Sequence, residues 1–205
     1  MKKFELTNEF IANRFGTKLF RIRALVEFGD VEAGELGGYV EKESNLGHDD
    51  NAWVYGNARV YGDALVYDNA RVYDNAWVYG DAQVSGDARV YGNARVYGNA
   101  WVYGDAQVSG DARVCGDARV CGNGDYAYAH GFGSVNRTTT FFRLKDGGVG
   151  VRCGCFYGTL AQFRDKIRET HGETKKAQEY LMLADLMELR FEEDENEVGN
   201  RKYVE

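Results

Sequence analysis

The chain has 205 residues, with 25 basic and 32 acidic side chains and a formal net charge of −7. This acidic balance argues against a general nucleic-acid coat protein, since such proteins usually carry a basic excess. Two lysines near the start are not followed by an apolar run, and no stretch approaches the length that spans a bilayer. We therefore expect a cytoplasmic protein without membrane association, whose four cysteines are reduced thiols.

Residues 1–39 precede any regular repeat and are predicted to form an N-terminal capping segment. The alternating run Leu19–Val26 is typical of a strand, and Phe4–Leu6 is a shorter candidate. Such a segment would cover strand edges that invite end-to-end association. Val40 and Leu46 then indicate two imperfect repeat units, with a two-residue insertion in residues 47–50.

A six-residue repeat dominates residues 40–124. Valine recurs at every sixth position from Val54 to Val120, and an alanine follows most of these valines four residues later. Repetition of this strictness predicts that each unit buries its apolar side by stacking on its neighbours. Six residues suffice for a short strand and a turn, so three units would make a triangular coil, with valine and the alanine two places before it inside.

The unit Val-Tyr-Gly-Asp-Ala-Arg resembles the hexapeptide-repeat superfamily, whose members form left-handed parallel β-helices. Residues 24–31 and 34–40 are similar to the N-terminal segment of bacterial and prophage-borne hexapeptide proteins, some of which are labelled acyltransferases. The resemblance implies a left-handed coil of about four to five turns. It also raises acyl transfer from coenzyme A as a function.

Residues eighteen apart should align in columns on the outside of the coil. The second face would carry Arg59, Trp77, Arg95 and Arg113 in one column. Stacked arginines repel one another unless another group balances their positive charge. Two explanations stay open: the charge is balanced by neighbouring Asp corners such as Asp87 and Asp111 with stacking on tyrosine, or by an anionic ligand or a partner protein.

The tyrosine columns predict a contact surface, because rigid amphipathic side chains are typical of interfaces. We expect a homo-oligomer, a trimer ahead of a dimer, with the first two faces in contact. A block of 24 residues from Trp77 recurs from Trp101, which places its copy one face further round. The candidate interface and ligand residues are Tyr55, Tyr73, Tyr91, Arg71, Arg89, Tyr61, Tyr79, Tyr97, Arg95, Arg113 and Trp77.

Residues 125–205 are predicted to form a C-terminal unit of order ββαα with an acidic tail. Residues 122–131 are interpreted as an exit segment, and residues 138–155 as a hairpin around an Asp-Gly turn. A capping box at Thr159 begins one helix, which Gly172 ends, and a second helix covers about residues 174–191.

Candidate sites outside the repeat are few. His130 would be the general base under the acyltransferase alternative, with acetyl-coenzyme A as cofactor, although the repeat lacks a long loop to carry such a base. Cys115 and Cys121 fall on different sides of the coil, so we expect no metal site. A basic patch offers anion-binding candidates, namely Arg137, Arg143, Arg152, Lys175 and Lys176.

The sequence therefore predicts a mainly β protein: a left-handed parallel β-helix with an N-terminal β cap and a C-terminal ββαα unit. The function expected first is non-enzymatic binding, in which a phage- or prophage-encoded scaffold sequesters a host protein or a small anionic ligand without a cofactor. The alternatives are acyl transfer and nucleotide or nucleic-acid binding through the basic patch.

Overall fold

The computed structural model describes residues 2–133 and 136–192. It is mainly β, with a parallel β-solenoid of about five turns between an N-terminal antiparallel segment and a C-terminal sheet that carries two helices. The predicted fold class is confirmed, while the hand of the coil stays a prediction. The strands of the N-terminal segment are β1 (Phe4–Ala12), β2 (Lys18–Ala24) and β3 (Leu36–Val40).

Twelve short strands form most of the solenoid, one for each valine of the repeat. They are β4 (Trp53–Val54), β5 (Arg59–Gly62), β6 (Leu65–Val66), β7 (Arg71–Val72), β8 (Trp77–Gly80), β9 (Gln83–Val84), β10 (Arg89–Val90), β11 (Arg95–Gly98), β12 (Trp101–Val102), β13 (Gln107–Val108), β14 (Arg113–Val114) and β15 (Arg119–Val120).

Three parallel sheets make the three sides of the coil, and the predicted eighteen-residue step is confirmed on each. The orders are β4-β7-β10-β13 for the first face, β3-β5-β8-β11-β14 for the second and β6-β9-β12-β15 for the third. Val40 pairs with Val60 and Leu46 with Val66, a step of twenty residues. The two-residue insertion is therefore confirmed as well.

The interior is built from the valines and alanines of the repeat, which are essentially inaccessible to solvent. Parallel strands lie about 4.8 Å apart. Each turn hydrogen-bonds to the next through its backbone, as where the Tyr55 N–H donates to the Val72 carbonyl at 2.8 Å. The solenoid is thus a column in which equivalent positions are stacked directly.

The N-terminal strands extend the second face rather than form a separate lid. Strands β1, β2 and β3 are antiparallel to one another, and β3 joins β5 in parallel to give a seven-stranded sheet. The buried Lys3 ammonium donates to the Asp50 and Ala52 carbonyls at 2.7 and 2.9 Å, and its burial lowers its pKa to about 8. Lys3 thus ties β1 to the inserted residues that precede β4.

The C-terminal unit has the order ββββαα, which corrects the predicted ββαα. Its antiparallel sheet is β16 (Tyr126–Phe132), β17 (Arg137–Arg143), β18 (Val149–Cys153) and β19 (Phe156–Thr159). The supposed exit segment is a strand because Tyr126 and its neighbours pair with β17, a tertiary contact that local composition does not reveal. Strand β19 is a short return from β18.

Two helices cover one side of this sheet, as predicted: α1 (Leu160–His171) and α2 (Lys175–Phe191). The Thr159 side chain accepts from the Gln162 N–H and completes a capping box, and Gly172 ends α1 with a positive φ. Neither helix, within the described part of the chain, is long and apolar enough to cross a membrane. The predicted acidic tail lies almost wholly in residues 193–205, outside the described residues.

Two turns of the solenoid carry aspartate where most units have glycine. Asp68 and Asp74 adopt φ values of 59° and 60°, a region that L-residues rarely occupy. Their carboxylates accept the N–H groups of Gly86 and Gly92, one turn further on, at 3.0 and 3.1 Å. These hydrogen bonds offset the strain of the turn.

We expect Asp74→Ala to lower the free energy of unfolding by about 1–2 kcal/mol, because alanine keeps the strain and loses the hydrogen bond. Asp74→Gly should lose less, since glycine removes the strain. Urea denaturation followed by circular dichroism measures both variants. An alanine variant as stable as the glycine variant would contradict this role for Asp74.

Candidate functional site

The arginine column on the second face encloses a tryptophan. Arg59, Trp77 and Arg95 occupy successive rungs of β5, β8 and β11. The guanidinium carbons of Arg59 and Arg95 lie 5.0 and 4.5 Å from the Trp77 ring centroid, one from each neighbouring rung. Cation–π contact at this distance holds both guanidinium groups in place.

The C-terminal sheet faces this column and closes one side of a cleft. Strand β17 is tied to the last rung, because the Arg113 N–H donates to Thr140 Oγ1 at 2.9 Å. The start of β17 and the end of β16 therefore project alongside the arginines. The cleft has a volume of about 580 Å³ and is lined on this side by His130, Asn136, Arg137, Thr138 and Gly154. The solenoid contributes Arg59, Asn75, Trp77, Asn93, Arg95, Asp111 and Arg113.

Four guanidinium groups share the cleft, and no carboxylate within residues 2–133 and 136–192 forms an ion pair with any of them. Asp111 is the one acidic side chain of the lining, and its Oδ1 accepts from the Asn93 amide at 3.2 Å. The predicted balance of the arginine charges by Asp corners is thus not observed as ion pairs among the described residues. The cleft is strongly cationic.

The tyrosines beside the column supply no negative charge. Tyr61, Tyr79 and Tyr97 are stacked, with ring centroids 5.0 and 4.9 Å apart and nearly parallel planes. Burial raises the pKa of all three hydroxyls. They are therefore neutral near pH 7, and the arginines have no ion-paired carboxylate in the part of the chain that the structure describes.

His130, the candidate base, is exposed at the mouth of the cleft, and its Nδ1 lies 2.8 Å from Thr138 Oγ1. The other two histidines have structural contacts. His48 stacks on Phe4 and accepts from the Lys3 N–H, and His171 stacks against Tyr180.

The structure disperses the basic patch that the sequence suggested. Of its five candidates only Arg137 lines the cleft. Lys175 and Lys176 are exposed in the first turn of α2, and Arg152 donates to the Cys155 carbonyl at 3.4 Å.

Arg143 was predicted to be an anion-binding candidate, and the structure corrects this. The residue is only 6% exposed, and its contacts stabilise the fold. Its Nε lies 3.5 Å from Asp125 Oδ1, and its Nη2 donates to the Phe191 carbonyl at 3.1 Å. The guanidinium group therefore joins the end of the solenoid to the end of α2 and has no open side for a ligand.

The first face is covered at its C-terminal end, where the Tyr126 hydroxyl donates to the Gln107 carbonyl at 2.6 Å and Tyr128 lies against Gly110. Its Tyr73 and Tyr91 rings stack 4.9 Å apart, and Arg89 is exposed. Near its N-terminal end, Arg71 pairs with Asp30 at 2.8 Å, and the Tyr55 hydroxyl donates to the same carboxylate at 3.2 Å. The charge of Arg71 is thus balanced by an ion pair within the chain.

The lower part of the second face is covered by the C-terminal sheet. The Tyr157 hydroxyl lies directly against Gly116, and Cys115 is buried below Tyr97. This part of the second face is therefore not available to another subunit, whereas Tyr61 and Tyr79 on earlier rungs stay within the predicted interface.

The cysteines do not gather at one place. Cys115 is buried, which raises its pKa, while Cys153 accepts from the Thr139 hydroxyl at 3.2 Å and Cys155 is exposed. In the described residues no group of three or more His, Cys, Asp or Glu side chains is arranged to hold a metal ion.

Several cleft residues were not among the sequence candidates. Arg59 belongs to the same predicted column as Arg95, so the repeat itself could have identified it as a candidate. Thr138 is a candidate phosphate contact from the sequence, within the run Thr138–Thr140 beside the basic patch. Asn136 and Gly154 carry no such signal, because their place beside the solenoid depends on tertiary packing of β17 and β18.

Comparison with known families bears on the repeat. A family model described as YdcK Beta solenoid repeat matches residues 52–68, 64–80, 82–94, 88–104, 94–110 and 106–122. The chain is a β-solenoid repeat protein. These matches cover the solenoid alone, and no curated protein matches the chain.

We expect Arg143→Met to lower the free energy of unfolding by about 3 kcal/mol, because it leaves the buried Asp125 carboxylate without the guanidinium group that balances its charge. The exposed Lys145→Met is the matched control and should change it by less than about 0.5 kcal/mol. Chemical denaturation of both variants measures the difference. Equal stabilities would show that Arg143 is not structural.

Proposed function

We propose that the protein is a non-enzymatic binding protein that takes a small anionic ligand into the cleft between the second face and the C-terminal sheet. The observation that carries the proposal is the set of four guanidinium groups without an ion-paired carboxylate among the described residues. Guanidinium groups bind phosphate and carboxylate in a planar, bidentate manner.

The fixed positions of the arginines, and not their charge alone, support the binding of a ligand. Trp77 holds Arg59 and Arg95 before any ligand arrives, so less side-chain entropy is lost on binding. The Nε of Arg59 is buried without a hydrogen-bond partner in the described structure. All three solenoid arginines are partly shielded from solvent, which strengthens their attraction for an anion.

The test is isothermal titration of the full chain with inorganic phosphate at low ionic strength. We expect saturable binding with one site per chain, and Arg95→Gln should weaken it at least about tenfold, because one charge-assisted contact is lost.

Arg119→Gln is the matched control, because Arg119 lies 4.4 Å from the Trp101 centroid in the shifted copy of the same repeat. Arg119 does not line this cleft, and its guanidinium group donates to the Asn99 and Ala118 carbonyls. Binding that is absent, or equally weakened by both variants, would reject the cleft.

We further propose that the chain is a homo-oligomer, a trimer ahead of a dimer, that uses the first face. The stacked rings of Tyr73 and Tyr91 form a stiff amphipathic surface of the kind that interfaces use. The resemblance to prophage-borne hexapeptide proteins also supports a left-handed coil and a role in sequestering a ligand or host protein.

Tyr73→Glu combined with Tyr91→Glu should give a soluble monomer, because two buried carboxylates would oppose association. Light scattering measures the mass, and Gln83→Glu on the third face is the control. A wild-type chain that is already monomeric, or a double variant of unchanged mass, would refute the interface.

Acyl transfer is the second candidate, favoured by one contact. The His130–Thr138 pair lies at the mouth of the cleft, where the arginines would attract the phosphates of coenzyme A. Turnover of acetyl-coenzyme A with a panel of amines, lost in His130→Ala, would support it. No turnover with any acceptor would exclude it.

A further inference from the structure

We propose that the cleft recognises a chain of linked phosphate groups, such as a diphosphate or triphosphate, and does so without contacting a base. This inference rests on the anion-binding function proposed above and names the class of anion. The same phosphate chain occurs free and as part of a nucleotide, and the experiment below separates the two.

The spacing of the cations favours an extended anion. Arg95 and Arg113 are directly paired on adjacent strands, about 4.8 Å apart, and Arg59 lies two rungs from Arg95. A single tetrahedral phosphate can engage one or two of these groups. Linked phosphates place oxygens along a line and can meet successive rungs at once.

The charge of the cleft points the same way. Four guanidinium groups face one carboxylate, so the lining carries an excess of three positive charges without His130 (four minus one). A phosphate monoester carries roughly −1.5 to −2 at neutral pH and leaves part of that excess unanswered. Each additional linked phosphate adds negative charge where the next guanidinium stands.

The cleft also has groups on its far side to hold the phosphate chain. Arg137 supplies the fourth guanidinium group there, and Asn136 adds an exposed amide. The exposed amides of Asn75 and Asn93 are hydrogen-bond donors on the solenoid side. A ligand in the middle would therefore bridge the solenoid and the C-terminal sheet.

Among the described residues of the cleft lining, the Trp77 ring is not open for a nucleobase. Trp77 has a guanidinium group from each neighbouring rung over its ring, and Tyr61, Tyr79 and Tyr97 are stacked on one another. Proteins that bind single-stranded nucleic acids use exposed aromatic rings as stacking platforms. The chemistry here fits the phosphate chain alone.

The experiment titrates the full chain with orthophosphate, pyrophosphate, tripolyphosphate, citrate, ATP and a mixed-sequence oligonucleotide under matched ionic strength. We expect pyrophosphate to bind at least about tenfold more tightly than orthophosphate, because a second charge-assisted contact forms. ATP should fall within about threefold of tripolyphosphate, since a base contact would gain more than this.

Arg113→Gln tests the ladder directly. It should reduce the advantage of pyrophosphate over orthophosphate below about threefold, because the longer anion loses its contact at that rung. Arg119→Gln should retain the full advantage. Circular dichroism and thermal melting confirm that both variants are folded.

The outcomes separate the two proposals. Equal affinity for orthophosphate and pyrophosphate, or citrate as tight as tripolyphosphate, would overturn the phosphate chain and leave anion binding standing. ATP or the oligonucleotide binding more than about tenfold more tightly than tripolyphosphate would show that a base or a nucleic acid is recognised instead. No binding of any anion would reject both the class of ligand and the function on which it rests.

Discussion

The eighteen-residue hydrogen-bond ladder is the constraint on which the rest of the molecule depends. Each turn donates to the turn that follows, and the valines and alanines between them leave no room for a change of register. A side chain on the outside is therefore stacked over its equivalent about 4.8 Å away. This regularity turns a repeated arginine into a row of cations, which a less regular fold would scatter.

The C-terminal sheet lies beside this row of arginines and forms the other wall of the proposed site. The solenoid presents Trp–Arg pairs on two faces, at Arg95 over Trp77 and at Arg119 over Trp101. The second face has the C-terminal sheet beside its arginine column, fixed by the contact between Thr140 and Arg113 and by the packing of Tyr157 on Gly116. The two pairs arise from one duplicated block, and their surroundings differ. We therefore propose that specific binding belongs to the junction of the two parts rather than to the repeat.

The sequence predicted much of the fold because the repeat reports the structure of each turn many times over. The columns, the interior positions and the two-residue insertion were all readable, as were the caps of both helices. Strand β16 and the burial of Arg143 were not, because each depends on contacts between distant segments. Half of the cleft could be anticipated from the arginine column. The other half follows from where β17 docks, and no local pattern encodes that position.

The central claim is that uncompensated guanidinium groups make the junction of solenoid and C-terminal sheet an anion site. A crystal structure determined from crystals grown with tungstate tests it most directly, because tungstate mimics phosphate and gives strong anomalous scattering. The account predicts the highest anomalous peak inside the cleft, in contact with the Arg95 guanidinium group. An empty cleft, with tungstate bound only at other surfaces, would contradict it.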